Sequence, residues 1–340
     1  MAHEIANVRG KNSIAYVNET PWHGLGQRLT PGADLLTWQQ ESGTDWEALS
    51  APVKYDAAAV GVNENGAMTA SSETKLYAGR KVLYRSDTGT PLSVVSDRYR
   101  EVQPKHIIEF YRDLTERHGF TMETAGALRN GQKIWALART PESLLLNGND
   151  AVRGYLLLAT SYDGSMATQA RFTSIRVVCN NTLTVAAHGK ANVVVPHSST
   201  FDADSVKLQL EIGDAWSEFA SRTHAMAERQ ITRDETVRLM MAAYYNLGSV
   251  EEIKDFQRDE KKRTSGEKLM ERLTTALFES PGANLASARG TLWGALNAVT
   301  FDVDHALPSR SQATRLDKAW FGEGEAIKQR ASAFALELIK

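Results

Sequence analysis

The pattern of apolar and polar positions between Arg153 and Arg176 gives two strand-like runs that flank Asp163-Gly164. Asp-Gly between β-prone runs favours a two-residue type I′ turn, because both central positions need a positive φ that these residues tolerate. Such a turn fixes the register: Tyr155 faces Phe172, Leu157 faces Ala170 and Ala159 faces Thr168 on the expected core side. Leu156 with Arg171 and Leu158 with Gln169 then form the other side, and Thr173 continues its polar row. A second hairpin signal, Asn130-Gly131, separates strand-like residues 121–128 from 132–140 and sets Lys133, Trp135, Leu137 and Arg139 on one face.

The spacing changes after Ile175. Val178, Thr182, Val185 and Ala186 recur at helical period and Gly189 is a natural stop, which predicts a helix from Ile175 to His188. Asn180 and Asn181 conflict with that helix, since their side chains compete with the backbone for hydrogen bonds, so they mark a buried polar network or a functional position. Upstream, residues 34–50 read as helix, 53–83 as short strands turning at Asn65-Gly66 and Ala78-Gly79, and 92–102 as strand. Residues 104–118 read as a helix with Pro104 in its first turn, where a missing N–H is harmless. Beyond a last strand at 192–196, helices are predicted at 206–229, 232–247, 250–278, 291–305 and 325–340. The fold class is therefore α+β: an antiparallel sheet with helices over residues 1–200, and a mainly helical region, 201–340, packing on it.

Charge alters this picture locally. The chain of 340 residues has a formal charge of −2, yet residues 126–190 hold seven Lys/Arg against three Asp/Glu, and residues 80–105 six against three. If helices cover one face of the sheet, the other is left open and basic. Lys133, Arg139, Arg153, Arg171 and Arg176 would follow a phosphate backbone there, with Trp135 and Tyr162 stacking on exposed bases. The lone cysteine, Cys179, excludes an internal disulfide and a thiolate-built zinc site, and its apolar surroundings argue against a nucleophile. No P-loop, HExxH, paired CxxC or GxSxG pattern occurs, so no cofactor is expected and ATP-driven chemistry has no phosphate cradle. No signal-peptide pattern or membrane-length apolar run occurs, which fits a soluble intracellular protein.

An enzymatic alternative uses Asp302, Asp304 and His305 at the end of the 291–305 helix, with His23 from the turn-rich Pro21-Trp22-His23-Gly24-Leu25-Gly26 loop. Carboxylates and imidazoles can hold a divalent ion that activates water for phosphodiester cleavage, making a metal-dependent nuclease or hydrolase. The bland alternative makes Trp22 a buried plug and His23 its hydrogen-bonded neighbour. The second face of the 291–305 helix offers Trp293, Asn297, Phe301 and Asp304. A third class is an interaction protein that blocks a host defence factor.

Three motifs carry a resemblance: the Trp22-His23 loop, the run Arg176-Val177-Val178-Cys179-Asn180-Asn181-Thr182-Leu183, and Thr291 to Thr300 leading to Asp304-His305. In this order they resemble the phage/plasmid-like protein family of uncharacterised domains. That resemblance implies a mobile genetic element and the cytoplasm of a bacterial host. In outline the strand-hairpin-helix core is also similar to single-strand annealing proteins of the RecT/Redβ type, which hold single-stranded DNA in rings or filaments without ATP. The implied function is ATP-independent binding and annealing of single-stranded DNA in phage or plasmid recombination. The implied partners are single-stranded DNA, other copies of the chain in a ring or filament, and either a phage exonuclease or a host single-strand-binding protein.

Overall fold

A computed structural model describes residues 5–8, 10–18, 25–62, 64–65, 68–178, 181–184, 192–210, 212–307 and 315–340. The fold is α+β, with every described strand before residue 196. Short strands β1 (Asn7–Val8), β2 (Lys11–Asn12), β3 (Ile14–Tyr16) and β4 (Gln27–Arg28) open the chain, followed by helix α1 (Leu35–Ser42). Asp34 starts α1 by accepting from the Thr37 N–H, and Gly43, at φ +66°, ends it. The expected helix thus stops early, and its last residues enter β5 (Ala48–Val62), which forms a long hairpin with β6 (Met68–Arg85). β7 (Pro91–Ser96) pairs with the root of β6 only.

Pro104 stands at the first turn of α2 (Pro104–Glu109), which runs into α3 (Arg112–Arg117). The main sheet follows: β8 (Thr121–Leu128), β9 (Lys133–Leu146), β10 (Asp150–Ser161), β11 (Thr168–Arg176), β12 (Asn181–Thr184) and β13 (Asn192–Val195). Its strand order is β12-β11-β10-β9-β8-β3-β4, antiparallel except for β3 with β4, and β13 also pairs with β11.

Two expectations are corrected here. The β10–β11 hairpin closes through a longer loop, so Tyr155 faces Thr173, Leu157 faces Arg171 and Ala159 faces Gln169, one residue from the two-residue-turn register. A shift by one exchanges cross-strand partners, which is why Arg171 sits on the same face as Leu157. The helix predicted from Ile175 to His188 is replaced, where described, by the end of β11, a turn at Val177 and Val178, and β12. Strand pairing with Arg176 takes up Asn181, which would have been unfavourable in a helix.

Helices complete the chain: α4 (Ala203–Gln209), α5 (Ile212–Glu228), α6 (Arg233–Tyr245), α7 (Val250–Arg258), α8 (Glu260–Glu279), α9 (Leu292–Phe301) with a π-helical turn Asp302–Ala306, α10 (Arg315–Phe321) and α11 (Glu323–Leu338). Both sheet faces are covered. On the inner face Leu156, Leu158 and Ala170 pack with Trp38, Ile107, Tyr111 and Val206 from α1 to α4. On the outer face Trp135, Leu137, Tyr155 and Leu157 meet Leu25, Trp320 and Phe321. A helical core of α5, α6, α8, α9 and α11 joins the sheet end at Leu144, Val152 and Phe172.

Candidate functional site

The described residues of the second and third sequence motifs meet at two buried carboxylates, Asp150 and Asp304. Asp150, at the start of β10 and fully buried, receives Arg176 Nε and Nη2 at 2.8 Å each, Ser287 Oγ at 2.6 Å and Trp293 Nε1 at 3.2 Å. Arg176 also donates to the Gly282 carbonyl at 3.0 Å. Gly294 lets α9 press onto this loop, since a Cβ there would stand 1.8 Å from the Ala288 carbonyl oxygen. Beyond the end of α9, Asp304 accepts from the Thr182 backbone N–H at 2.7 Å, the Thr182 hydroxyl at 2.9 Å and Lys328 Nζ at 3.0 Å. The second and third motifs thus meet through Asp150 and Asp304, and Leu25, just after the Trp-His loop, packs on the adjoining apolar cluster.

Beside them runs a chain of ion pairs closed by the C-terminal helices. Lys133 and Arg129 both donate to Asp317 at 2.6 Å, and Arg171 donates to Glu325 at 3.1 Å and to the Trp320 carbonyl at 2.7 Å. Burial pulls the Arg171 pKa below its ordinary value, and Glu325 opposes the shift. A narrow cavity of about 20 Å³, room for about one water, is lined by Leu137, Leu157, Arg171, Thr173, Trp320 and Lys328. Removing such charges from water costs several kcal/mol each, so near-complete pairing is what allows them here.

The open basic face is therefore absent. Lys133, Arg171 and Arg176 are buried and paired; Trp135 is buried edge-on to Trp320, with centroids 5.1 Å apart; Tyr162 is buried and donates to the Val102 carbonyl at 2.6 Å. Each charge is used to dock the helical half on the sheet rather than left for a phosphate. Arg139 and Arg153 remain half-buried. Arg153 and Glu123 both interact with Tyr155, whose pKa burial raises first of all, with Glu123 adding and Arg153 opposing.

The proposed metal group is not assembled from its described members. Asp302 pairs with Arg272 at 2.8 Å and accepts from Tyr244, while Asp304 turns to Lys328 and Thr182; the π-helical turn points them apart. Burial and Asp302 raise the Tyr244 pKa, keeping it a donor. The His305 ring meets Phe301 at a tilt, with centroids 4.9 Å apart, and Asn297 donates to the Trp293 carbonyl at 2.9 Å. Among the described residues no group of three or more His, Cys, Asp or Glu could hold a metal. Trp22, His23, Cys179 and Asn180 lie outside the described residues, and Asn181 is described only as the β12 partner of Arg176.

Exposed chemistry lies elsewhere, on the β5–β6 hairpin. Past an irregularity at Pro52 to Lys54 the ribbon leaves the body, and residues 71–80 are all exposed. Tyr55 and Tyr77, 49% and 52% exposed, pair edge to face at 6.4 Å on one side of it, with Lys75 directly across from Tyr55 on the same side. At its root a shallow hollow of about 340 Å³ is bounded by Pro52, Tyr77, Arg80, Lys81 and Asp97. The exposed members of the basic 80–105 stretch, Arg80, Arg98, Arg100 and Lys105, lie at or just after this root. His197, stacked on Tyr99 at 4.2 Å and bonded to the Arg100 carbonyl at 3.0 Å, fixes the turn that carries two of them.

Residues 91–320 match a family described as a domain of unknown function, DUF932. The chain belongs to the DUF932 family. No curated protein and no solved structure matches it. The DUF932 region holds strands β8 to β13 of the main sheet, Asp150, Asp304 and the Lys133–Asp317 pair, whereas Glu325 and Lys328 follow it and the β5–β6 hairpin arm precedes it. Sequence reasoning passed over Asp150, Asp317, Glu325 and Lys328. A weak signal for Lys328 existed: it falls beside Ile327 and Ala331 on the apolar stripe of α11, where a solvated lysine does not belong.

Proposed function

We propose that this DUF932 protein binds single-stranded DNA without nucleotide hydrolysis and anneals it in the recombination of a phage or plasmid, using the hairpin arm as its contact surface. The observation that carries this reading is the exposed Tyr55–Tyr77 pair, with Lys75 on the same face of the ribbon and Arg80 and a hollow at its root. Bases of any sequence stack on aromatic rings, and nearby cations follow the phosphates. Arg98 and Arg100 extend the cationic track from the arm's root. The outer sheet face, by contrast, has its cations neutralised by Asp317 and Glu325 and serves as scaffold.

The test is fluorescence anisotropy of a labelled oligonucleotide titrated with the full chain at several salt concentrations. Log affinity should fall with log salt by about 0.7 for each phosphate contacted. Tyr55→Ala together with Tyr77→Ala should weaken binding by roughly tenfold or more, given about 1–3 kcal/mol per stacked base. Folded protein that fails to bind at the lowest salt, or a double variant that binds like wild type, overturns the proposal.

A further inference from the structure

We propose that a second copy of this chain pairs with the outer edge of β5, antiparallel and about a twofold axis at Tyr55. β5 is the outer strand of its three-stranded sheet, and no described strand lies beyond it. At its root the edge is closed: the Ala48 N–H donates to Gln103 Oε1 at 2.9 Å, and Gln103 Nε2 donates to the Ala48 carbonyl at 3.1 Å. Past Pro52 no such cover follows among the described residues. A two-stranded ribbon exposed on both faces is marginal alone, and its unpaired N–H and C=O groups form a template for another strand.

The charges of β5 specify which strand. It carries two, Lys54 and Asp56, two residues apart and therefore on one face. A twofold axis at Tyr55 sets Lys54 opposite the second copy's Asp56, and Asp56 opposite the second copy's Lys54. Among the described residues Lys54 makes no ion pair within its own chain, and Asp56 accepts from Thr74 Oγ1 at 2.7 Å through one carboxylate oxygen only. Single-sign edges repel their own copies, whereas this pair is complementary to itself in that one register. Val53 then faces Ala57, and Pro52, which has no N–H to give, falls at the margin opposite Ala58, where pairing ends.

The opposite face gains an aromatic row. Tyr55 meets its twin across the axis with Tyr77 outside each, so four rings line the joined ribbon. On the single-strand-binding reading, on which this consequence alone rests, the second copy doubles the stacking platform.

The experiment measures self-association of the full chain by sedimentation velocity over a concentration series, for wild type, Lys54→Asp, Asp56→Lys, an equal mixture of the two, and the double variant K54D/D56K. Each single variant places like charges opposite each other twice and should weaken association by about tenfold or more. The mixture and the double variant restore opposite charges and should recover it, the double variant also showing that the substitutions leave the fold intact. A wild type that stays monomeric, or single variants that associate as wild type does, overturns the proposal. So does a double variant that fails to recover while its melting curve is unchanged. Tyr77→Ala should lower oligonucleotide affinity without altering association. An intact association pattern with no oligonucleotide binding leaves the pairing standing and removes the nucleic-acid reading.

Discussion

Replacing Asp150 by Ala should be among the most damaging single changes in this protein. The carboxylate is fully buried and takes donors from Arg176, Ser287 and Trp293, so its loss strands a guanidinium that is itself 2% exposed. Breaking a buried pair by removing one partner costs about 3–5 kcal/mol, because the remaining charge keeps its desolvation penalty without compensation. With roughly 2–4 °C of melting temperature per kcal/mol for domains of 150–250 residues, the expected drop is about 6–20 °C. Arg176→Met leaves Asp150 its Ser287 and Trp293 donors and should cost less. In the double variant neither charge is buried alone, so it should lie closer to wild type than the sum of the single changes. Urea denaturation followed by tryptophan fluorescence and circular dichroism gives the cycle. A coupling energy below about 0.5 kcal/mol, the range of independent sites, would refute the account of Asp150 as the hub joining sheet and α9.

Other outcomes follow from the same geometry. Lys328→Ala should destabilise by roughly 3–5 kcal/mol in urea melts, since Asp304 keeps only its Thr182 donors, whereas Lys54→Ala on the exposed arm should stay within about 0.5 kcal/mol of wild type. Arg171→Ala, by removing a buried partner of Glu325, should lower the melting temperature while leaving oligonucleotide affinity per folded molecule unchanged. Glu235 caps α6 and is held down to about 2 from an ordinary 4.5 by Arg229 and the Thr232 N–H. A depressed folded pKa means stability fully present above 4.5 and lost as pH falls towards 2, so the gap between wild type and Glu235→Gln in thermal melts should close across that window.

Local patterning determined much of this fold. Asn130-Gly131 and the alternation around it placed β8 and β9, Pro104 opened α2, and the apolar stripe of 291–305 became α9 with its π-helical extension. These features depend on neighbours in the chain, where turn chemistry and period act directly. The β10–β11 register was not legible from Asp163-Gly164, because the closing loop took more residues than the turn signal required. The 175–188 segment showed a helical period, yet edge pairing with β11 made its described part strand, a choice set by a neighbour rather than by propensity. Most of all, Lys133, Arg171 and Arg176 looked like a basic surface because the carboxylates that meet the first two, Asp317 and Glu325, lie about 150 residues or more away in sequence. A charge reads as exposed until its partner is known, and only tertiary packing brought Asp317, Glu325 and Asp150 within hydrogen-bond distance and left the hairpin arm as the surface facing solvent.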